Sequence, residues 1–397
     1  MKQSWRLLVA LFLVFALVAA ACGDDEEEAD TSEPAADDGG DEAGDGGDEA
    51  GDGGDEGASE CGPGGVEAPQ SSVAGTSSGD GSALTIGLVH NGRGDGSFND
   101  SAVAGLDAAV ADFGITPQEV VVNLTGGETG ATEVETLAQS GTDYNVLVGF
   151  LLADAAAAAA TSFPDAQFGI IDSVVDAPNV QGLVFAEEQG SFLVGVAAAL
   201  CSQSGTVGFI GGVQNELIGK FEAGFVAGAT AANPDINVEV AYITQPPDFS
   251  GFGDPVRAKE IALAQLEAGA DVIYAAAGGS GNGMFEAIAE ANEAGEYAWA
   301  IGVDSDQAAA DIPTVPNEVK PYILTSMLKR VDIAVYNTVD AVVNGTYTPG
   351  GVNVFDLSND AVGYSTTGGL MSQGVIDQIE DFKAQIVAGD IEVPAAP

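Results

Sequence analysis

The sequence is poor in basic residues. Lysine and arginine together number 10, against 61 aspartates and glutamates, and the formal net charge is -51. A surface of this charge repels the phosphates of nucleic acids and the headgroups of anionic lipids. We therefore expect no nucleic-acid partner and no direct attraction to a lipid surface.

Residues that carry catalysis and metal binding are also scarce. The chain has one histidine, His90, and three cysteines, and no GxSxG string lies between an expected strand and an expected helix, where a nucleophile elbow would be. A Ser/His/Asp hydrolase would depend on that one histidine, and a zinc site would lack its usual ligands. An acidic chain offers many carboxylate pairs for glycosidase chemistry, but the sequence singles out none. We expect no catalytic residue, no enzyme activity, no cofactor and no metal.

No run of about 20 apolar residues, the length that a transmembrane helix needs, occurs in the sequence. The apolar run at residues 7–17 is shorter. It is preceded by Lys2 and Arg6 and followed by small residues. This order is typical of a signal peptide, which we place at residues 1–21.

The residue that follows the small residues is Cys22. A cysteine at this place resembles a bacterial lipobox, in which the thiol is acylated, although Ala19 stands where leucine is usual. We expect Cys22 to carry a lipid that anchors an extracytoplasmic protein to the cell membrane, which would be its only contact with the membrane. Plain cleavage after Ala21 is the alternative.

Residues 22–83 contain few large apolar side chains, and residues 23–60 hold 18 acidic residues with no lysine or arginine. High charge without apolar residues predicts a disordered segment that self-repulsion keeps extended. Two copies of a GDGGDE repeat suggest calcium binding as an alternative, but the spacing of an EF-hand is not maintained. We interpret the segment as a linker between the lipid and the folded body.

From residue 84 onwards, short β-rich runs alternate with helical runs, which predicts an α/β fold. The strands are expected at 84–90, 120–124, 144–150, 167–172, 180–186, 206–211, 238–243, 271–277 and 298–303. The helices are expected to begin near 98, 132 and 155, and then to span 217–232, 255–268 and 284–294. The second series repeats the first, so we expect two doubly wound lobes with a ligand cleft at the carboxyl ends of their strands.

Two glycine-rich segments lie between an expected strand and an expected helix. Residues 91–100 could offer free backbone N–H groups to an oxygen-rich ligand, or form a plain loop with Ser97 as helix N-cap. Residues 278–283 lack the lysine of a Walker A motif and do not fit GxGxxG. Close approach of the backbone to a neutral ligand, or a tight turn, explains them better.

Seven motifs in order resemble the basic membrane protein family of ABC transporter substrate-binding lipoproteins, whose best-understood members are purine nucleoside receptors. The resemblance covers residues 84–388. The motifs are GDGSFND at 94–100, GFLLAD at 149–154, FGIIDS at 168–173, FAEEQGSFLVG at 185–195, GF at 224–225, IGVDSDQ at 301–307 and TSMLK at 325–329.

The resemblance implies the type I periplasmic binding protein fold, in which two α/β lobes joined by a hinge close around a ligand. Lobe I is then expected at 84–186 with about 307–345, and lobe II at 187–306 with about 346–397. The chain would cross between the lobes near Glu187, Gln307 and Thr346.

The resemblance also implies a ligand site. Phe98 and Phe252 would sandwich a planar base, Asp304 and Lys329 would bind ribose hydroxyls, and Gly278 would allow close approach. Core packing is the alternative for both rings. The other expected ligand-binding residues are Asn91, Asp95, Ser97, Asn99 and Asp154.

The chain departs from the family just after the first strand, where purine-binding members usually carry an aspartate. His90 and Asn91 stand there, in a turn that is shorter. An aspartate would only accept a hydrogen bond from the base, whereas an asparagine offers a donor and an acceptor. The replacement predicts an altered base preference.

Two cysteines remain if Cys22 carries a lipid. An extracytoplasmic setting permits a disulfide between Cys61 and Cys201, which would attach the linker to the folded body. A reduced, buried Cys201 is the alternative.

These features predict a substrate-binding lipoprotein that captures a small molecule, expected to be a purine nucleoside, and delivers it to an ABC permease. A ligand-sensing lipoprotein that feeds a signalling pathway is the main alternative, and a nucleoside hydrolase is a third. Ligand binding would shift the balance between open and closed lobes.

Overall fold

The computed structural model describes residues 61–67 and 78–397. The expected signal peptide, the lipid-carrying Cys22 and most of the expected linker lie outside the described residues. Within the described part of the chain, no helix combines the length and the apolarity needed to cross a membrane.

The first lobe is built on a six-stranded parallel sheet. Its strands are β1 (Thr85–His90), β2 (Thr116–Val121), β3 (Tyr144–Leu147), β4 (Phe168–Ile171), β5 (Val180–Phe185) and β11 (Val352–Phe355). They lie in the order β11-β5-β4-β3-β1-β2. The central strands β3 and β4 are buried along their whole length, as expected for a parallel sheet covered on both faces.

The second lobe contains the other six-stranded sheet. Its strands are β6 (Thr206–Val213), β7 (Asn237–Thr244), β8 (Val272–Ala276), β9 (Trp299–Asp304), β10 (Ile323–Lys329) and β12 (Val362–Tyr364). Their order is β12-β10-β9-β8-β6-β7, and only β12 runs antiparallel to its neighbour. The expected α/β class with two doubly wound lobes is therefore confirmed.

Helices cover the sheets of both lobes. The first lobe carries α1 (Phe98–Phe113), α2 (Ala131–Ser140), α3 (Ala153–Ser162) and α8 (Val331–Val343). The second lobe carries α4 (Glu187–Cys201), α5 (Glu216–Ala232), α6 (Pro255–Glu267), α7 (Gly281–Glu293) and α9 (Gln373–Ala388). Helices α4 and α5 pack closely because glycines lie at their contact, and a methyl group at Gly228 would overlap the backbone oxygen of Phe192.

The chain crosses between the lobes at three places in the described residues. The first crossing, at Glu187 between β5 and α4, lies where it was expected. The second crossing follows β10, near Arg330, and the third lies between β11 and β12. The expected crossings at Gln307 and Thr346 are therefore wrong. The reason is strand pairing, because β10 pairs with β9 in the second lobe and β11 pairs with β5 in the first.

A disulfide joins Cys61 to Cys201 at the end of α4, with the two Cα atoms 5.4 Å apart. The neighbouring backbone also attaches to the second lobe, since the Gly62 N–H donates to the Leu370 carbonyl at 2.7 Å and the Val66 N–H to the Met371 carbonyl at 2.9 Å. Both cysteines are buried. The chain that precedes the first lobe is thus fixed to the second lobe.

Candidate ligand-binding site

A cavity of about 370 Å³ lies between the two lobes. This is within the range of roughly 300–1,000 Å³ that small-molecule sites occupy. Its walls are mainly the segments that follow the carboxyl ends of strands in both sheets, including β1, β3, β4, β8, β9 and β10. This is the edge at which ligands bind in parallel α/β sheets.

Most of the residues expected from the sequence meet at this cavity. Its lining includes Asn91, Asp95, Phe98, Asn99, Phe252, Gly278, Asp304 and Lys329. Ser97 lies behind the wall, where its buried hydroxyl donates to Asp304 Oδ2 at 2.6 Å. The expectation for Asp154 is wrong, because this residue is exposed in the first turn of α3 and does not line the cavity. A 3-10 turn at Phe150–Leu152 separates it from the end of β3.

The loop before α1 is held by its own carboxylates. Asp95 Oδ1 accepts from the Ser97 N–H at 3.0 Å, and Asp95 Oδ2 accepts from the backbone and side-chain amides of Asn99, each at 2.8 Å. Ser97 is the N-cap residue of α1, as considered from the sequence, but its hydroxyl makes no capping bond and donates to Asp304 instead. The fixed loop places Phe98, the first residue of α1, at the cavity wall.

The two residues that depart from the family pattern have structural partners. Asn91 Oδ1 accepts from the Leu124 N–H at 2.7 Å and from the Thr125 N–H at 3.3 Å. His90 is fully buried, and its Nδ1 accepts from the Gly92 N–H at 3.2 Å, which leaves Nε2 to donate to Glu119 at 2.9 Å. Neither the asparagine oxygen nor the histidine ring is therefore free to accept from a ligand.

Lys329 ends β10 and is buried in the cavity wall. Its Nζ lies 2.7 Å from Asp172 Oδ2 and 3.0 Å from Glu187 Oε1, and 5.1 Å from the centre of the Phe98 ring. Burial alone would lower the pKa of Lys329, but Asp172, Glu187 and Asp304 raise it above its ordinary value. The ammonium group is therefore charged and joins the second lobe to the first.

Asp172 is a cavity residue that the sequence analysis did not single out. It directly follows β4, as Asp304 ends β9, so its position after a buried strand could have identified it. Its Oδ1 is buried and has no hydrogen-bond partner in the described residues. Burial raises its pKa to about 6, although Lys329 acts in the opposite direction.

Asp304 faces the same cavity from the second lobe. Burial raises its pKa to about 7, against the lowering effects of Lys329 and of the hydrogen bond from Ser97. Among the residues that the structure describes, no three histidine, cysteine, aspartate or glutamate side chains are placed to hold a metal ion.

Two phenylalanine rings line the cavity from opposite lobes, Phe98 from the first and Phe252 from the second. Glycines make room for Phe252, because a Cβ at Gly212 would lie 2.6 Å from its ring and a Cβ at Gly278 would lie 3.4 Å from its backbone oxygen. Gly278 also has a φ of +55°, which favours glycine. Both rings are partly exposed to the cavity, as a planar ligand would require.

The lobes are joined beside the cavity by polar contacts between the loop before α1 and the segment after β9. The Ser305 hydroxyl donates to the Ser97 carbonyl, and Gln307 Nε2 donates to the Gly96 carbonyl, both at 3.2 Å. Neither donor lines the cavity. These contacts hold the lobes together without occupying the ligand space.

Comparison with known proteins gives a consistent result. A family described as "ABC transporter substrate-binding protein PnrA-like" matches residues 84–396. The CD4+ T-cell-stimulating antigen of Listeria monocytogenes is 36% identical over 329 residues, covering 79% of this chain and 89% of the relative. The ABC transporter nucleoside-binding protein BmpA of Lactococcus lactis is 31% identical over 312 residues, covering 77% of this chain and 87% of the relative.

Solved structures share the fold. An ABC transporter solute-binding protein from Aeropyrum pernix superimposes with a TM-score of 0.68 at 26% identity, covering 78% of this chain and 94% of that one. An ABC transporter solute-binding protein from Conexibacter woesei gives a TM-score of 0.62 at 22% identity, covering 79% of this chain and 99% of that one. Two lobes around a cleft are thus an arrangement that this chain shares with proteins described as solute-binding.

Proposed function

Because the chain belongs to the PnrA-like family of ABC transporter substrate-binding proteins, we propose that it binds a nucleoside between its lobes and delivers it to an ABC permease. The observation that carries the nucleoside assignment is the pair of rings that line one cavity, Phe98 from the first lobe and Phe252 from the second. Aromatic rings on two sides suit a flat base, and each ring contact adds about 0.5–1.5 kcal/mol beyond the buried area. The name of the Lactococcus relative points to the same ligand class.

The polar groups beside the rings suit a sugar. Asp172 and Asp304 provide carboxylate oxygens for hydroxyl donors, and the Lys329 ammonium provides a donor for hydroxyl oxygens. Hydrogen bonds to charged groups are stronger than those between neutral groups. A ribose, with neighbouring hydroxyl groups, fits this combination of acceptors and donor.

The charges near the cavity favour a neutral ligand. Arg93 lines the cavity, but its guanidinium forms a two-bond pair with Glu119, and the hydrogen bonds from Arg93 lower the pKa of that carboxyl to about 2. The Lys329 charge is matched by Asp172 and Glu187. Among the described residues that line the cavity, both cations are thus paired with carboxylates, and we expect nucleosides to bind better than nucleotides.

Substrate-binding proteins of ABC importers work outside the cytoplasm, and we propose that a lipid on Cys22 anchors this chain to the membrane there. The linker expected between Cys22 and the folded body would allow the lobes to reach the permease. Mass spectrometry of the membrane-extracted protein should find the acyl groups on Cys22. A cleaved chain that begins at Cys22 without acyl groups would contradict the anchor but not the ligand assignment.

Calorimetric titration of the folded body with purine and pyrimidine nucleosides, nucleotides and free sugars tests the ligand assignment. We expect the tightest binding from a nucleoside, and a Phe252→Leu variant should bind it about 2- to 10-fold more weakly. Phe382→Leu, which changes a ring that packs against Phe192 in the second lobe, is the matched control. The assignment is wrong if every nucleoside binds weaker than millimolar while another solute class binds tightly.

A further inference from the structure

We infer that Asn282 determines which base the cavity accepts, by accepting a hydrogen bond from an N–H group on the base. The inference rests on the proposed nucleoside ligand and goes beyond it, because it selects among bases. Asn282 is the second residue of α7 and lines the cavity from the second lobe. The sequence analysis assigned no role to Asn282, although it lies in the glycine-rich segment at residues 278–283.

The orientation of the Asn282 carboxamide is set by the protein. Its Nδ2 donates to the Gly279 carbonyl at 3.3 Å, and the reversed orientation would place two oxygens against each other. Its Oδ1 is buried and has no partner in the described residues. A buried acceptor without a partner is costly unless a ligand supplies the donor.

The polar side chains that line the cavity from the segment between β1 and the first turn of α1 already have hydrogen-bond partners. Asn91 Oδ1 accepts from two backbone amides, both oxygens of Asp95 accept from the loop, and Asn99 Oδ1 accepts from the Asn91 N–H at 3.0 Å. Of the buried side-chain atoms without a partner in the described chain, two belong to cavity-lining residues, Asp172 Oδ1 and Asn282 Oδ1. The ligand is therefore expected to bring a donor to each.

The two acceptors have different neighbours and belong to different lobes. Asp172 is bonded to Lys329, which we assign to the sugar. Asn282 follows the Gly278–Ser280 turn, which contacts the backbone of Phe252, the residue that we assign to the base. The chemical class that Asn282 selects is thus a base with an N–H donor on this edge, either an exocyclic amine or a protonated ring nitrogen.

A base without this donor leaves the acceptor unpaired, and such a loss lowers affinity by roughly tenfold or more. Wild-type protein should therefore bind adenosine, inosine or guanosine at least about tenfold tighter than purine riboside, whose base carries no N–H donor. In Asn282→Ala the ratio should fall to about one or two, because the acceptor is gone. In Asn282→Asp, which keeps an acceptor and loses the donation to Gly279, the preference should persist.

The ratio of affinities is the readout, since a change in the turn alone would weaken all ligands together. Asn237→Ala, at an exposed strand position whose amide bonds Glu239, is the matched control and should leave the ratio unchanged. Thermal melts show that each variant is folded, and Asn282→Ser replaces the alanine variant if that one is not. An unchanged ratio in a folded alanine or serine variant overturns the role of Asn282 and leaves nucleoside binding intact. Failure of wild-type protein to bind any nucleoside overturns both.

Discussion

Asp172 and Asp304 have left-handed backbone conformations, with φ of 63° and 64°, at the two strand ends where they face the cavity. Non-glycine residues seldom adopt this conformation, and it costs on the order of 1 kcal/mol or more. Burial raises the pKa of both carboxyls as well. The binding site therefore concentrates features that lower the stability of the free protein and that a bound ligand would offset.

Asp304→Asn should stabilise the ligand-free protein and weaken nucleoside binding. Asparagine tolerates the left-handed conformation and can still accept from Ser97, but it carries no buried charge. The folded pKa of Asp304, about 7, lies above its ordinary value of 3.8. Between these values the native state binds more protons than the unfolded state, so the free energy of unfolding falls as pH rises.

The free energy of unfolding of Asp304→Asn should therefore exceed that of wild type least near pH 4. The difference should grow up to about pH 7, by on the order of 2–4 kcal/mol. Urea denaturation at a series of pH values measures it. Asp235→Asn, which removes a charge from an exposed position, is the control and should follow the wild-type profile. If the free energies of unfolding of wild type and Asp304→Asn change with pH in parallel, burial does not raise the pKa of Asp304.

Individual site residues were predictable where a motif fixed both type and position, and not where function depends on the direction of a side chain. Phe98, Asp304 and Lys329 line the cavity as expected. Asp154 and Asp172 both follow first-lobe strands, but the short turn after β3 moves Asp154 to the surface. Which oxygens are already hydrogen-bonded, as at Asn91, depends on distant backbone amides that the sequence does not reveal.

At the scale of elements, the alternation of apolar runs located eight of the nine expected strands to within one residue at their start. The exception is β2, which was expected at residue 120 and begins at Thr116. It is an edge strand with a largely exposed, polar sequence, so its apolar signal comes from Val122 and Leu124, which are buried just beyond its end. An apolar pattern reports burial rather than strand pairing.

Close packing of α4 on α5 leads to a prediction for two glycines of α5. Gly228→Ala should lower the free energy of unfolding by about 1–3 kcal/mol or more, because the added methyl overlaps the backbone of Phe192. Gly219→Ala should raise it by roughly 0.5–1 kcal/mol, since the nearest atom, in the side chain of Pro397, is 3.4 Å away and alanine favours a helix. Chemical denaturation measures both. Equal effects at the two positions would contradict the packing described for these helices.

At the scale of the whole molecule, two lobes were expected and are found, but two late strands lie in the other lobe from the one expected. Residues 323–329 were expected in lobe I and pair in the second sheet, and residues 352–355 were expected in lobe II and pair in the first. Both lobes use the same βα unit, so the strand at residues 323–329 fits either sheet by its apolar pattern. Its assignment depends on pairing with β9, and that of Val352–Phe355 on pairing with β5. Long-range pairing of this kind is fixed by the packing of the whole chain, which local periodicity does not encode.

The hydrogen bonds that join the lobes beside the cavity should affect the affinity for the ligand, although their donors do not line the cavity. Ser305→Ala removes the bond to the Ser97 carbonyl, a contact that opening of the cleft would break. One such bond contributes about 0.5–1.5 kcal/mol, so the balance between closed and open forms should shift about 2- to 10-fold toward the open form. The apparent dissociation constant, measured by calorimetry, should rise by up to this factor, and by the whole factor when the open form predominates in the free protein. When the closed form predominates, small-angle scattering should report a larger radius of gyration for the free variant than for the free wild type.

Ser140→Ala is the matched control for this shift. Its hydroxyl also donates to a backbone carbonyl, that of Leu137, but both residues belong to α2 in the first lobe. It should leave the dissociation constant and the radius of gyration unchanged, because its bond is the same in open and closed forms. If Ser305→Ala behaves like Ser140→Ala, the contact does not bias closure. If both weaken binding equally, the effect is one of general stability.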